Sequence, residues 1–266
     1  MRAFWTLLCC LTLPAAEDMN SLARSARDAY GSGDLREAFR LADRSVELFP
    51  RDARSFALRG ALREAVDKLP EALADYDTAI RLEPKSASLF NQRGAARFRA
   101  ARIAASIEDF DRAIAFDPAQ EAHHWQRGIS YYYAGRFPDG VKQFELHRTV
   151  NPDDVENAVW HFLCKARAEN FKAARAALIP VKGDSRVPMK EIHDLFAGKA
   201  TVPHVIAKAG EGGTELFYAY LYTGLYYEAA GDAAKAREHI GRAANDYRIS
   251  HYMWYVARVH DQLLRR

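Results

Sequence analysis

The nearest approach to a nucleophile in this chain is Cys164, which follows His161 by three positions, so a helix there would bring an imidazole alongside a thiol. The same spacing describes a buried small thiol beside an ordinary histidine, and no third group converges on the pair. His123 and His124 are neighbours, and on a helix neighbouring side chains diverge by about 100°, too far to share one metal ion. His193 with His204, and His251 with His260, have no cysteine or carboxylate at ligand spacing. Gly210, Gly212 and Gly213 cluster without the lysine and the preceding strand that a phosphate loop needs. The expectation is a protein that is not an enzyme, with no catalytic residue, no metal and no cofactor.

Side chains suited to holding another protein are easier to find. Trp125, Ile129 and Tyr132 fall at i, i+4 and i+7, one stripe of a helix, with Tyr133 next to it. Tyr218, Tyr222 and Tyr226 make a second row, either a docking stripe or the packing seam of the last helix pair. Tyr218 is the member expected to be exposed.

What positions these residues is a period. Pro50, Pro84, Pro118 and Pro152 stand 34 residues apart, each closing a segment such as Ser-Val-Glu-Leu-Phe-Pro. A small residue recurs in the same register as Ala26, Gly60, Gly94 and Gly128, and a small-x-x-x-aromatic step follows as Ala72 with Tyr76, Ser106 with Phe110 and Gly140 with Phe144. Self-similarity of this length predicts an all-α array of antiparallel helix pairs wound into a superhelical solenoid. The first unit has Ala42 where the others have an aromatic, which predicts looser packing there. Arg59, Arg93 and Arg127 precede the three glycines, and Asp43, Asp77 and Asp111 recur late in the second helices. Equal ladders of opposite sign predict ion pairs between successive units.

The layout that follows is four units at 19–52, 53–86, 87–120 and 121–154, then a divergent helix pair, loop and short helices over 155–213. A fifth unit follows over 217–250 and a capping helix over 252–266. The loop is marked by Pro180, Gly183, Asp184, Ser185 and Pro188. With 38 basic and 35 acidic residues among 266, no basic footprint for a phosphate backbone is present, and nucleic acid is not an expected partner. Residues 1–16 read as a signal peptide, a basic start and an apolar run too short to span a bilayer, with cleavage near Ala15 or Ala16. Cys9 and Cys10 inside that run raise lipidation as an alternative to simple cleavage. The location predicted is the periplasm or envelope, with the cytoplasm as the alternative if the segment is an ordinary N-terminal arm. Removal of the segment leaves Cys164 as the single thiol, so an internal disulfide is not expected.

The marker positions together resemble the tetratricopeptide repeat family. In that family the small position lets paired helices approach closely, and repeat positions 2, 5, 9 and 12 of the first helices line a concave groove. The resemblance implies a partner-binding groove including Arg54, Asn91, Phe98, Arg99, Trp125, Ile129, Tyr132 and Tyr133, with Tyr218 as a further contact. The carboxylate clamp for chaperone tails is not implied, because Ala57, Ala61, Ala95 and Ile129 occupy its positions. The order of parts, with Asp-Ser-Arg-Val-Pro-Met-Lys-Glu-Ile at 184–192 and the tyrosine-rich stretch 217–232, resembles NlpI-type bacterial envelope lipoproteins. That resemblance implies an adaptor that brings protein partners such as cell-wall hydrolases to a protease. An architectural subunit of an envelope complex is the alternative, and the residues leave homodimerisation open.

Overall fold

The computed structural model describes residues 17–265, so the predicted signal peptide with Cys9 and Cys10 lies outside the described residues. The described residues form fifteen α-helices and one short 3-10 helix. Four helix pairs come first: α1 Met19–Gly31 with α2 Leu35–Leu48, α3 Ala53–Ala65 with α4 Leu69–Leu82, α5 Ala87–Arg99 with α6 Ile103–Phe116, and α7 Trp125–Tyr133 with α8 Phe137–His147. The 3-10 helix Pro118–His123 precedes α7 and shortens it, so His123 and His124 end a turn and do not share a regular helix as expected.

Local chemistry explains the boundaries. Asp18, Asp34 and Asp52 cap α1, α2 and α3 by accepting bonds from the first free N–H groups. Pro70 and Pro138 sit in the first turns of α4 and α8, where a missing N–H costs nothing. Within each pair the chain reverses through a residue with positive φ: Gly33, Asp67, Ala101 and Gly135, all in one register. Glycine adopts this conformation freely, whereas Asp67 and Ala101 hold it against their own Cβ.

Between paired helices the spacing is set by the small markers. A Cβ added at Gly94 would lie 2.7 Å from the Phe110 ring, and one at Gly128 2.7 Å from Phe144. The missing side chain is therefore the space the aromatic occupies. In the first pair Ala26 carries a methyl, the facing residue is Ala42, and both are fully buried. The expected loosening is thus met by a size exchange across the seam.

The predicted ladder also exists, with a second rung beneath it. Arg59, Arg93 and Arg127 reach Asp43, Asp77 and Asp111 of the preceding unit at 3.2, 2.7 and 3.0 Å. The same guanidiniums bond Asp75, Asp109 and Gln143 of their own unit, all three buried. Each arginine rivets two units together.

Past Pro152 come α9 Val155–Ala168 and the short α10 Phe171–Ala176, then α11 Met189–Phe196 and α12 Val202–Ala209. The last pair is α13 Gly213–Ala229 with α14 Ala233–Asn245, and α15 Tyr252–Leu264 ends the chain. The largest core lies here: Trp160, Phe162, Met189, Phe196, Phe217 and Tyr222 are almost wholly buried. No helix among the described residues is long and apolar enough to cross a membrane.

Candidate protein-binding face

The first helices of successive units, α1, α3, α5 and α7, form the inner face of the solenoid, and its two halves differ. Along α1, α3 and the start of α5 runs an open trough of about 660 Å³. Its floor is Ala23, Ala53, Ala57 and Ala61, and Arg27, Arg54 and Tyr30 stand along it. Small side chains bring the backbone near the surface, so an incoming segment can sit deep. Arg54 is held upright by Asp52 at 2.6 Å and donates to the Asn20 side chain at 3.0 Å.

The other half is already occupied by the chain itself. Helix α15 lies across α5 and α7: the Tyr252 ring stacks on Phe98 at 5.5 Å and meets Trp125 edge-on at 5.2 Å. Arg99 has its guanidinium 3.4 Å from the Tyr255 ring centre and pairs with Glu64 at 2.6 Å. Arg258 reaches back to Asp67 at 2.9 Å. A polar knot closes the far end, where Tyr133 bonds His260 at 2.9 Å and Tyr132 donates to Glu228 at 2.9 Å. Burial drives the phenols of Tyr132 and Tyr133 well above their ordinary range and the His260 imidazole below its own, with Glu228 opposing the latter shift.

These contacts correct the expected groove. Phe98, Ile129 and Tyr132 are buried and not open to a partner, and Arg99 keeps only 7% of its side chain exposed. Helix α15 is therefore more than an end cap, since one side packs on α14 and the other on the inner face. Tyr218 is likewise buried, stacked on Tyr222, and Tyr226 is the more accessible of that row. Of the predicted residues only Arg54 lines the open trough. Asn91 lies apart, in a shallow hollow toward the 3-10 helix, with its buried Oδ1 unpartnered. The alanine floor has a sequence signal of its own, the 34-residue spacing of Ala23 and Ala57, which aromatic spacing does not reveal.

A second cavity of about 480 Å³ lies between α7, α8, α9 and the start of α15. Trp125, Ile129 and Trp160 line it, together with Asp154, Glu156 and Asn157. Arg186, from the loop before α11, bonds Asp154, Glu156 and Asp184 at 2.8, 2.8 and 2.6 Å. Burial pushes the Glu156 carboxyl above its ordinary range, against the pull of Arg186.

Cys164 is fully buried, tucked against Gly140, and burial pushes its thiol up, away from the nucleophilic thiolate. His161 beside it is buried, and its imidazole is held below the ordinary range by that burial. Among the described residues no group of three or more His, Cys, Asp or Glu is placed to hold a metal ion.

Stacked antiparallel helix pairs at a 34-residue period define a helical-repeat solenoid. Solved structures place the fold among the tetratricopeptide repeat solenoids. A tetratricopeptide repeat protein from Parabacteroides merdae is similar at 17% identity and a TM-score of 0.58, over 93% of this chain and 98% of that one. PilW, a type IV pilus biogenesis factor, is similar at 16% identity and a TM-score of 0.56, over 89% and 97%. Pseudomonas aeruginosa PilF gives 13% identity and a TM-score of 0.51, over 91% and 96%. No family model and no curated protein sequence matches this chain.

Proposed function

We propose that this protein is a non-enzymatic scaffold that grips a segment of a partner protein in the trough of α1, α3 and α5. The observation that carries the reading is the asymmetry of the inner face: α15 covers one half, and the other is an open trough with Arg27 and Arg54 above an alanine floor. Apolar side chains that fit the floor, with a carboxylate for Arg27, describe the segment expected there. We further propose export to the envelope, on the leader-like pattern of residues 1–16, and an adaptor role toward hydrolases or proteases there, on the NlpI-like order of parts.

The test is capture from separate envelope and cytosolic fractions by the chain from Ala16 onward, beside an Ala57→Trp variant that fills the trough. The expected result is a partner enriched from the envelope fraction by the native chain and lost by the variant. Equal capture by both chains would overturn the trough, and a partner found only in the cytosolic fraction would overturn the location.

A further inference from the structure

The cavity between α7, α8, α9 and the start of α15 is not used by the scaffold reading, and its chemistry is specific. Three carboxylates, of Asp154, Asp184 and Glu156, gather on the single guanidinium of Arg186. Even with Glu156 protonated, that cluster keeps a negative charge in excess, and Asp154 and Glu156 both line the cavity. Buried polar atoms without a partner line it too, the Trp160 indole N–H among them. Asn157 spends its N–H on the Phe144 carbonyl at 3.2 Å, leaving its Oδ1 buried without a partner. His147, which also lines the cavity, has its Nδ1 taken up by the Ala122 carbonyl at 2.8 Å. The indoles of Trp125 and Trp160 line the same cavity, Trp160 one turn along α9 from Glu156 and Asn157, and Met253 and Phe144 add apolar surface.

Negative charge, open acceptors and indole faces are jointly satisfied by one kind of group, an alkyl cation, which indoles attract through their π faces and carboxylates through charge-assisted bonds. An anion would meet Asp154 and Glu156. A purely apolar ligand would leave the buried acceptors unpaired, a burial that costs free energy. We propose that this cavity binds a guanidinium or ammonium group on an apolar stem, an arginine or lysine side chain of a partner protein. Only the source of the cation rests on the scaffold reading. The pocket lies outside the trough, so the Ala57→Trp test and the one that follows fail independently.

The experiment follows the indole N–H resonances of Trp125 and Trp160 in the 15N-labelled chain from Ala16 onward. The titrants are N-acetyl-arginine methylamide, its neutral isostere N-acetyl-citrulline methylamide, and spermidine. The arginine derivative should shift both resonances saturably and citrulline should not. Trp125→Leu should weaken binding about fivefold, the size of one cation–π contact. Asp154→Asn, which retains a side chain able to cap α9, should weaken it about tenfold. Circular dichroism of both variants separates lost binding from lost fold. Absence of any shift with the arginine derivative, or equal shifts with citrulline, overturns the cation site. Spermidine binding more tightly than the arginine derivative overturns the partner side chain as its occupant.

Discussion

Small differences at single positions decide how tightly the units stack. At Gly94 the absent Cβ is the room for Phe110, so Gly94→Ala forces an overlap at 2.7 Å with a ring buried on every side. The helix itself would gain roughly 1 kcal/mol from alanine, against about 1–3 kcal/mol for overpacking. The expected net result is a lowered urea midpoint, while Gly31→Ala, with nothing near its Cβ, leaves the midpoint unchanged or higher. His124 offers a second reading at this scale. Its ring lies on Phe110 at 4.6 Å between centroids, and burial, aided by Arg127, lowers its pKa from 6.5 to about 4. A lowered histidine pKa means that the unfolded chain takes up the proton first. The contribution to stability is then present above pH 6.5 and lost as pH falls toward 4. Between pH 7 and pH 5 this group alone should remove about 2 kcal/mol. His124→Phe keeps a stacked ring without a titrating group, so its urea midpoint should fall less across that interval; an identical fall would assign the pH dependence elsewhere.

The elements were largely legible because their signals repeat. The 34-residue register of Pro50, Pro84, Pro118 and Pro152 located helix pairs, and the arginine and aspartate ladders pointed to the ion pairs that join them. Asp75 and Asp109 were not read, because a carboxylate facing inward on a second helix looks no different in sequence from one facing water. Their burial makes the arginines structural: Arg93→Ala leaves Asp109 with Arg97 alone, at 2.9 Å. Removing one partner of a buried pair costs about 3 kcal/mol, so the urea midpoint should drop steeply while partner affinity stays as it was. The turns between paired helices carry a period that the prolines obscured. Gly33 and Gly135 share a left-handed position with Asp67 and Ala101. Asp67 pairs there with Arg258, but Ala101 bears the conformation with no hydrogen bond from its side chain to offset it. Ala101→Gly should raise the urea midpoint, by about 0.5–1 kcal/mol once the extra backbone entropy of glycine is subtracted from the relieved strain. A lowered midpoint would show that the Ala101 methyl contributes more by packing than its backbone loses.

At the scale of the whole chain, the candidate site was the least legible part, for a reason that periodicity cannot carry. Trp125, Ile129 and Tyr132 were recognisable as one stripe of a helix, and they lie on α7. What covers Trp125 and the neighbouring Tyr133 is a helix more than a hundred residues later, brought there by the course of α9 through α14, and no local pattern encodes so distant a contact. Helix α15 thereby turns an open solenoid into one closed at its C-terminal half. It buries Met253, Trp254, Val256 and Val259, at roughly 1.5–3 kcal/mol per side chain as an upper estimate. A chain ending at Ser250 loses all of that and leaves Phe98, Arg99 and Trp125 facing water. It should unfold at lower temperature and bind a dye for exposed apolar surface, and its far-ultraviolet helical signal should fall by little more than α15 itself. No residue of α15 lines the trough over α1 and α3, so partner capture through Ala57 and Arg54 should survive the truncation. Loss of capture with the first four helix pairs still folded would mean that the partner reads α15 itself, and the division of the inner face into an open and a closed half would fall with it.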